Sequence, residues 1–150
     1  MRLFYLAHPV AGDVANNLAA ARRWLKWAHT AIPPRFPGHD VAVIAPWITD
    51  CEIYDDSVPT ERAAGMARNL ATITRCHGIL LCGGRISSGM QVELDGAKGQ
   101  GLVHILDLTW MGTEPYQGAL CSIGDCFHTA IASWGGQVAC AIHEHELRTP

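Results

Sequence analysis

Long hydrophobic runs are absent from this sequence of 150 residues. No stretch of about 18 consecutive apolar residues occurs, so the sequence predicts no transmembrane helix. The apolar stretch at residues 3–7 is too short for the core of a signal peptide, and it stops at His8-Pro9. We therefore expect a cytoplasmic protein that has no membrane partner.

Closely spaced cysteines are missing as well. The six cysteines are scattered and form no C-x-x-C pair, whereas a disulfide framework is denser and belongs to smaller secreted chains. His143 and His145 would share one face of a strand, but no third or fourth ligand accompanies them at a suitable spacing. We expect reduced thiols, a solvated C-terminal segment, no bound metal and no cofactor.

An excess of positive charge is the third absence. The chain has 11 Lys and Arg residues against 14 Asp and Glu residues, which gives a net charge of −3. A general nucleic-acid binder usually carries a basic stripe, so we expect no nucleic-acid polymer as a partner. The length suits a single domain over residues 1–150.

Short apolar runs alternate with amphipathic segments along the first 110 residues. The predicted strands are residues 3–7, 41–45, 78–82 and 102–108. The predicted helices are residues 14–30 with Asp13 as N-cap, 59–76, and 88 to Gly99 or Gly101 with a capping box of Ser88 and Gln91. Residues 47–58 are polar and indicate an irregular loop. In the last forty residues we expect a helix at 127–134 and a fifth strand at 137–142.

This order of elements predicts an α/β fold. Continuously apolar strands that alternate with helices indicate a parallel sheet that is covered on both faces. We expect a flavodoxin-like or Rossmann-like three-layer sandwich with a mainly parallel sheet of four to five strands. Ligands of such sheets bind at the carboxyl ends of the strands, which here makes residues 8–13, 46–58 and 83–88 the candidate loops.

Familiar phosphate-binding and nucleophile motifs are missing from these loops. The sequence contains no G-x-x-x-x-G-K-[ST], no G-x-G-x-x-G after the first strand and no G-x-S-x-G. The informative segment is instead residues 83–101, which leaves a strand, crosses a Gly/Ser loop and enters a helix. The first amides of that helix and the hydroxyls of Ser87 and Ser88 could bind an anion. Gly89 would let a ligand approach the backbone, and Glu93 is expected to be partly buried.

These residues resemble the nucleoside 2-deoxyribosyltransferase superfamily, which includes the 2'-deoxynucleoside 5'-phosphate N-hydrolases. Members begin with a strand like Y-L-A-G-P, where residues 5–9 here are Y-L-A-H-P. Later they carry a loop like S-x-G-x-x-x-E, followed by an alanine and a glycine before the next strand. The matching residues here are Ser87, Gly89, Glu93, Ala97 and Gly101. The resemblance covers roughly residues 1 to 110.

The resemblance implies cleavage of the N-glycosidic bond of a (deoxy)nucleoside 5'-monophosphate. It implies that Glu93 is the nucleophile at the anomeric carbon, in a retaining two-step reaction. It also implies that Ser87 and Gly89 bind the 5'-phosphate, with Ser88 and Met90 beside them, and that Tyr5 lies near the sugar. Relatives complete their sites across a subunit interface, so a homodimer or higher homo-oligomer is expected.

Two positions depart from the family pattern. The family usually has an aspartate where Asn69 stands, and an amide cannot act as a general acid. His8 replaces a glycine and either contacts the substrate or fills the first loop. Trp47 or Tyr54 could stack on a nucleobase, or could pack the middle loop onto the sheet.

Three alternatives stay open: a deoxyribosyltransferase with the same nucleophile, a non-catalytic nucleotide-binding or sensor domain, and a protein-interaction role with a vestigial pocket.

Overall fold

The computed structural model describes residues 1–117 and, beyond them, the backbone of two short strands, Ala132–Trp134 and Gln137–Ala139. Residues 1–115 form one compact unit and residues 116–150 a second one. Among the described residues, no helix combines the length and the apolar character that a membrane span needs.

The first unit is built around a four-stranded sheet in the order β2-β1-β3-β4, with every neighbouring pair parallel. Its elements are β1 (Arg2–Ala7), α1 (Val14–Ala31), β2 (Val41–Ile44), α2 (Trp47–Ile53), α3 (Pro59–Ile73), β3 (Gly78–Leu81), α4 (Ser88–Gly99) and β4 (His104–Asp107). Strands β1 and β3 are central and supply fully buried side chains such as Phe4, Leu6, Ile79 and Leu80. The sequence prediction of an α/β fold with a mainly parallel sheet of four to five strands is confirmed, and the sheet has four strands.

The helices form the two outer layers. The chain moves from β1 to β2 through α1, then returns past β1 to β3 through α3, and continues to β4 through α4. Right-handed crossovers therefore place α1 on one face and α3 with α4 on the other, and α3 packs against α4. The direction of winding reverses between β1 and β3, so their carboxyl ends form the switch point at which ligands of such sheets bind.

The helix starts follow from their capping residues, with one correction. Asp13 caps α1, since its side chain accepts a hydrogen bond from the Asn16 amide. Helix α4 begins at Ser88 as predicted, but its cap is Ser87, whose Oγ accepts from the Met90 amide at 3.3 Å. The predicted capping box of Ser88 and Gln91 is wrong.

Two further predictions are corrected. Residues 47–58 are not irregular throughout, because Trp47–Ile53 forms helix α2. The predicted helix at 127–134 is wrong over Ala132–Trp134, which is strand β5. Strand β6, Gln137–Ala139, lies within the predicted strand at 137–142, but it pairs antiparallel with β5 and is no fifth strand of the parallel sheet. The other residues of these predictions, and the His143–Glu146 segment, lie outside the described residues.

The cysteines of the described chain are free thiols, namely Cys51, Cys76 and Cys82. Burial raises the pKa of each of them, and that of Cys76 to about 11. Thiols with raised pKa values are poor nucleophiles at neutral pH. The remaining three cysteines of the sequence lie outside the described residues.

Candidate functional site

A cleft opens at the carboxyl ends of the strands, where the winding of the sheet reverses. The space inside the cleft and its open mouth, including the solvent there, is about 790 Å³. Its walls come from the segments that follow β1, β2 and β3, and from α3. The predicted site residues that line it are His8, Trp47, Asn69, Ser87, Ser88, Gly89, Met90 and Glu93.

Glu93 lies on α4 at the inner wall of this cleft and is only 6% exposed. Its Oε1 accepts two hydrogen bonds, one from the Tyr5 hydroxyl at 2.7 Å and one from Asn69 Nδ2 at 3.1 Å. No hydrogen bond from the described residues ends on Oε2. Glu93 and the two residues that the family resemblance places near it, Tyr5 and Asn69, thus meet at one carboxylate, although they come from β1, α3 and α4.

The surroundings of Glu93 have opposing effects on its pKa. Burial raises the pKa of the carboxyl group from 4.5 to about 7, while the hydrogen bonds from Tyr5 and Asn69 lower it. Burial also raises the pKa of the Tyr5 hydroxyl well above its ordinary value, and the neighbouring Glu93 adds to this rise. Tyr5 therefore stays a hydrogen-bond donor, and Glu93 is poised between its two protonation states near neutral pH.

Asn69 holds Glu93 with one end of its amide and leaves the other end unused. The side chain lies on α3 and is buried. Its Nδ2 donates to Glu93, while its buried Oδ1 has no hydrogen-bond partner among the described residues. A buried acceptor without a partner costs roughly 1–3 kcal/mol. Such a cost is expected where a ligand later supplies the missing donor.

The loop from Gly83 to Ser88 carries the start of α4 to the cleft. Ser87 caps the helix, and Ser88, Gly89 and Met90 follow at the cleft wall. A Cβ on Gly89 would make an ordinary contact with the Met66 side chain at 3.5 Å. The residues of the first turn and the two serines line the cleft, with the positive end of the helix dipole behind them.

His8 follows β1 and packs against the same loop. Its Nδ1 lies 2.8 Å from the Pro9 carbonyl oxygen, which can only accept, so Nδ1 carries the proton in the neutral ring. Its Nε2 is buried and has no partner among the described residues. The ring fits only because residue 83 is glycine: a Cβ there would lie 2.6 Å from Nε2.

The sequence matches one family, described as a domain of unknown function (DUF7768), over residues 2–105. The chain belongs to the DUF7768 family. The match runs from β1 to the start of β4 and includes every described residue that lines the cleft. No curated protein and no solved structure matches the chain. The function of this DUF7768 domain therefore has to be argued from the chemistry of its cleft.

Helix α2 contributes a wall that the sequence described only as a loop. Trp47 is 5% exposed, and its Nε1 donates to the Leu6 carbonyl oxygen at 2.7 Å. This contact corresponds to the packing alternative for Trp47, which also lines the cleft. Tyr54 is 45% exposed at the mouth, with the Arg68 guanidinium 4.8 Å from its ring centre. Tyr54 is thus the more accessible of the two aromatic candidates.

Sequence reasoning missed the ion pair between Asp50 and Arg68. Arg68 Nε donates to Asp50 Oδ2 at 3.0 Å, and both residues line the cleft. The spacing of 18 residues carries no signal by itself, since the pair forms only because α2 and α3 pack together. Recognition of α2 as a helix would have placed Asp50 on the side that faces α3. Among the described residues, no group of three His, Cys, Asp or Glu side chains is arranged to hold a metal ion.

Proposed function

We propose that this domain cleaves the N-glycosidic bond of a nucleoside 5'-monophosphate, with Glu93 as the nucleophile. The observation that carries the proposal is the buried Glu93 carboxylate at the cleft wall, whose Oε1 is held by Tyr5 and Asn69. Two donors fix the carboxylate and leave Oε2 for attack, which is the arrangement that a positioned nucleophile needs. The resemblance to the nucleoside 2-deoxyribosyltransferase superfamily supports the same assignment.

The reaction proceeds in two steps. In the first, Oε2 forms a bond to the anomeric carbon while the bond to the base nitrogen breaks, and the base leaves with the electron pair. Asn69 cannot supply a proton, so the departing base takes one from solvent. In the second step, water attacks the anomeric carbon, the ester bond returns its electrons to Glu93, and water loses a proton to solvent. The products are the free base and the sugar phosphate.

The phosphate is assigned to the start of α4. First-turn amides together with the hydroxyls of Ser87 and Ser88 suit a phosphate monoester. The arginines that line the cleft are already paired with carboxylates, Arg62 with Asp56 and Arg68 with Asp50. Local dipoles therefore supply most of the attraction, which agrees with the net charge of −3.

A base-release assay tests this proposal. Purified protein is mixed with a panel of ribonucleoside and 2'-deoxynucleoside 5'-monophosphates, and free base is measured by chromatography. We expect at least one substrate to release base, and we expect Glu93→Gln to lower that rate about 10³-fold or more. Glu52→Gln is the matched control, since Glu52 is half-exposed, bonded to Arg22 and absent from the cleft wall. Equal rates for Glu93→Gln and the wild type would remove Glu93 as nucleophile.

A nucleotide-binding or sensor role is the second candidate, and one observation favours it. Residue 69 is a neutral amide, and the described cleft has its unpartnered buried acceptors on Asn69 and His8. Acceptors bind a ligand without catalysing bond cleavage. This role predicts that nucleoside monophosphates raise the melting temperature while no base is released. Base release that depends on Glu93 excludes it.

A further inference from the structure

We infer that His8 takes up a proton at Nε2 when the cleft binds a phosphate monoester, so that anion binding and protonation are coupled. The inference rests on the proposed function only for the choice of ligand. The phosphate end of the cleft then consists of the start of α4, its two serines and an imidazolium that exists only in the complex.

One ring nitrogen of His8 has no hydrogen-bond partner among the described residues. The ring is 6% exposed, and Nδ1–H is already committed to the Pro9 carbonyl oxygen. Nε2 is a buried lone pair without a partner among the described residues. Only a donor, or a proton followed by an acceptor, can satisfy such an atom. A phosphate monoester offers either one, as a monoanion with its own proton or as a dianion that receives an imidazolium N–H.

His8 shares the cleft with the residues at the start of α4. The ring lines the cleft together with Ser87 and Ser88, and it lies against Gly83, where the loop to the cap of α4 begins. Helix α4 is 12 residues long, so its dipole gives the amino end a partial positive charge. An anion at this helix end would lie in the same cleft as the His8 ring, and its charge would favour the protonated ring.

Burial and charges of both signs act on the His8 ring. Burial lowers the pKa of His8, while the Pro9 hydrogen bond and Glu114 raise it and Arg23 lowers it. Arg23 of α1 and Glu114 after β4 form an ion pair with each other, so these two charges largely offset one another at the ring. The free ring is therefore neutral at pH 7 and above, and a bound dianion is the new charge that could raise its pKa.

Calorimetry of the Glu93→Gln protein measures the proton directly. The probe is 2-deoxyribose 5-phosphate, titrated at pH 7.5 in two buffers that differ in their heat of ionisation. We expect close to one more proton taken up per site than in the double variant that also carries His8→Gln, which keeps a polar group near Nε2 and does not titrate. We also expect the affinity to rise nearly tenfold per pH unit between pH 8 and pH 7. Equal proton uptake in the two proteins overturns the inference.

Two controls separate the possible failures. Unphosphorylated 2-deoxyribose should bind without proton uptake, and His29→Gln, at an exposed histidine of α1, should change nothing. If the phosphorylated probe binds no more tightly than the sugar alone, the phosphate assignment and the inference both fail. Base release without proton uptake refutes this inference and leaves the proposed function standing. Proton uptake without base release supports this inference and refutes the proposed function.

A spectroscopic measurement covers the case in which His8→Gln fails to fold. The ring nitrogens of the histidines in the Glu93→Gln protein are followed by long-range ¹H–¹⁵N correlation at pH 7.5. One histidine should change from the neutral tautomer with a bare Nε2 to the imidazolium when 2-deoxyribose 5-phosphate is added. Spectra in which every histidine keeps its protonation state contradict the inference.

Discussion

The two ends of the parallel sheet both carry polar side chains, but the two sets differ in how completely they are hydrogen-bonded. At the amino end, Arg2 lies 2.7 Å from His104 Nε2 and 3.2 Å from His39 Nε2, and the Leu3 amide donates to His77 Nδ1. These groups satisfy one another at a largely solvated surface.

At the carboxyl end, the polar groups are buried and incompletely matched. Burial disfavours the charged form of Glu93 and raises its pKa. Asn69 Oδ1 and His8 Nε2 have no hydrogen-bond partners among the described residues. A fold that satisfies its polar groups at one end and leaves them unpaired at the other marks the second end as the place for a ligand.

Gly83→Ala should have the largest effect on stability. The φ angle of Gly83 is +89°, and an added Cβ would lie 2.6 Å from both His8 Nε2 and Pro9 Cδ. Strain and overpacking together should destabilise the fold by about 4 kcal/mol. Chemical denaturation of the variant and the wild type measures the difference.

Two glycine variants separate the causes of that loss. Gly12→Ala has a similar φ of +99° but meets nothing within 4 Å, so it should cost only about 1 kcal/mol. Gly78→Ala at the amino end would place a Cβ 2.5 Å from the Phe4 ring, so it should destabilise the fold without changing the affinity of the folded protein for nucleotides. Equal losses for Gly83→Ala and Gly12→Ala would show that the contact with His8 is unimportant.

Glu93→Gln should stabilise the protein at high pH and not at low pH. The pKa of Glu93 is raised from 4.5 to about 7, so its carboxyl group has no effect on stability below about pH 4.5. It destabilises the fold increasingly as the pH rises from 4.5 to 7, and the loss is constant above that range. A difference of this size corresponds to about 3 kcal/mol. The glutamine carbonyl still accepts from Tyr5 and Asn69.

Melting temperatures at pH 5 and pH 8 measure this effect. The advantage of Glu93→Gln should be small at pH 5 and should approach its full size at pH 8. Glu52→Gln, at a half-exposed ion pair with Arg22, should change stability by less than about 1 kcal/mol at either pH. A Glu93→Gln variant that is less stable than the wild type at pH 8 would show that the carboxylate is not strained.

Tyr5→Phe should shift the pH dependence of base release. The Tyr5 hydroxyl stabilises the ionised form of Glu93, so its removal raises the pKa of Glu93 and moves the rising limb of the rate to higher pH. The wild-type midpoint should lie near 7, and the variant midpoint about one pH unit higher. Asn69→Asp should act in the same direction, because it places a second carboxyl group beside Glu93 Oε1. An unchanged midpoint in both variants would contradict the assigned hydrogen bonds.

Arg2→Ala should have the smallest effect. It removes the hydrogen bonds to His39 and His104 and the contact of Arg2 with the Phe36 ring, 5.3 Å from its centre. We expect a loss of about 1 kcal/mol and no change in the base-release rate of folded protein. A large loss of activity would mean that the amino end also takes part in function.

The sheet was predictable because its strands are continuous apolar runs separated by turn residues. Helix α2 was not, since Trp47–Ile53 is short, follows a proline and mixes polar with apolar residues. Strands of three residues, such as β5 and β6, fall below the length at which a periodic pattern can be distinguished. The cap of α4 was misplaced by one residue because two serines are adjacent, and only backbone geometry decides between them.

The candidate site was predictable where a motif carried it. Tyr5, Ser87, Gly89 and Glu93 were nominated from local sequence. The fold brings Ser87, Gly89 and Glu93 to one cleft, and the fully buried Tyr5 lies behind them, hydrogen-bonded to Glu93. The fit of His8 against Gly83 and the pairing of Asp50 with Arg68 depend on contacts between distant segments, for which the sequence holds no local signal.

Mass spectrometry of the reacting protein tests the central claim most directly. The substrate identified by the panel is mixed with enzyme, the reaction is quenched in acid within milliseconds, and the protein is digested. We expect a sugar phosphate attached to Glu93 in the wild type, and no adduct in Glu93→Gln. In the Glu52→Gln control, the adduct should again be found only on the peptide that contains Glu93. Base release at the wild-type rate in Glu93→Gln, or a stable adduct on a different residue, would contradict it.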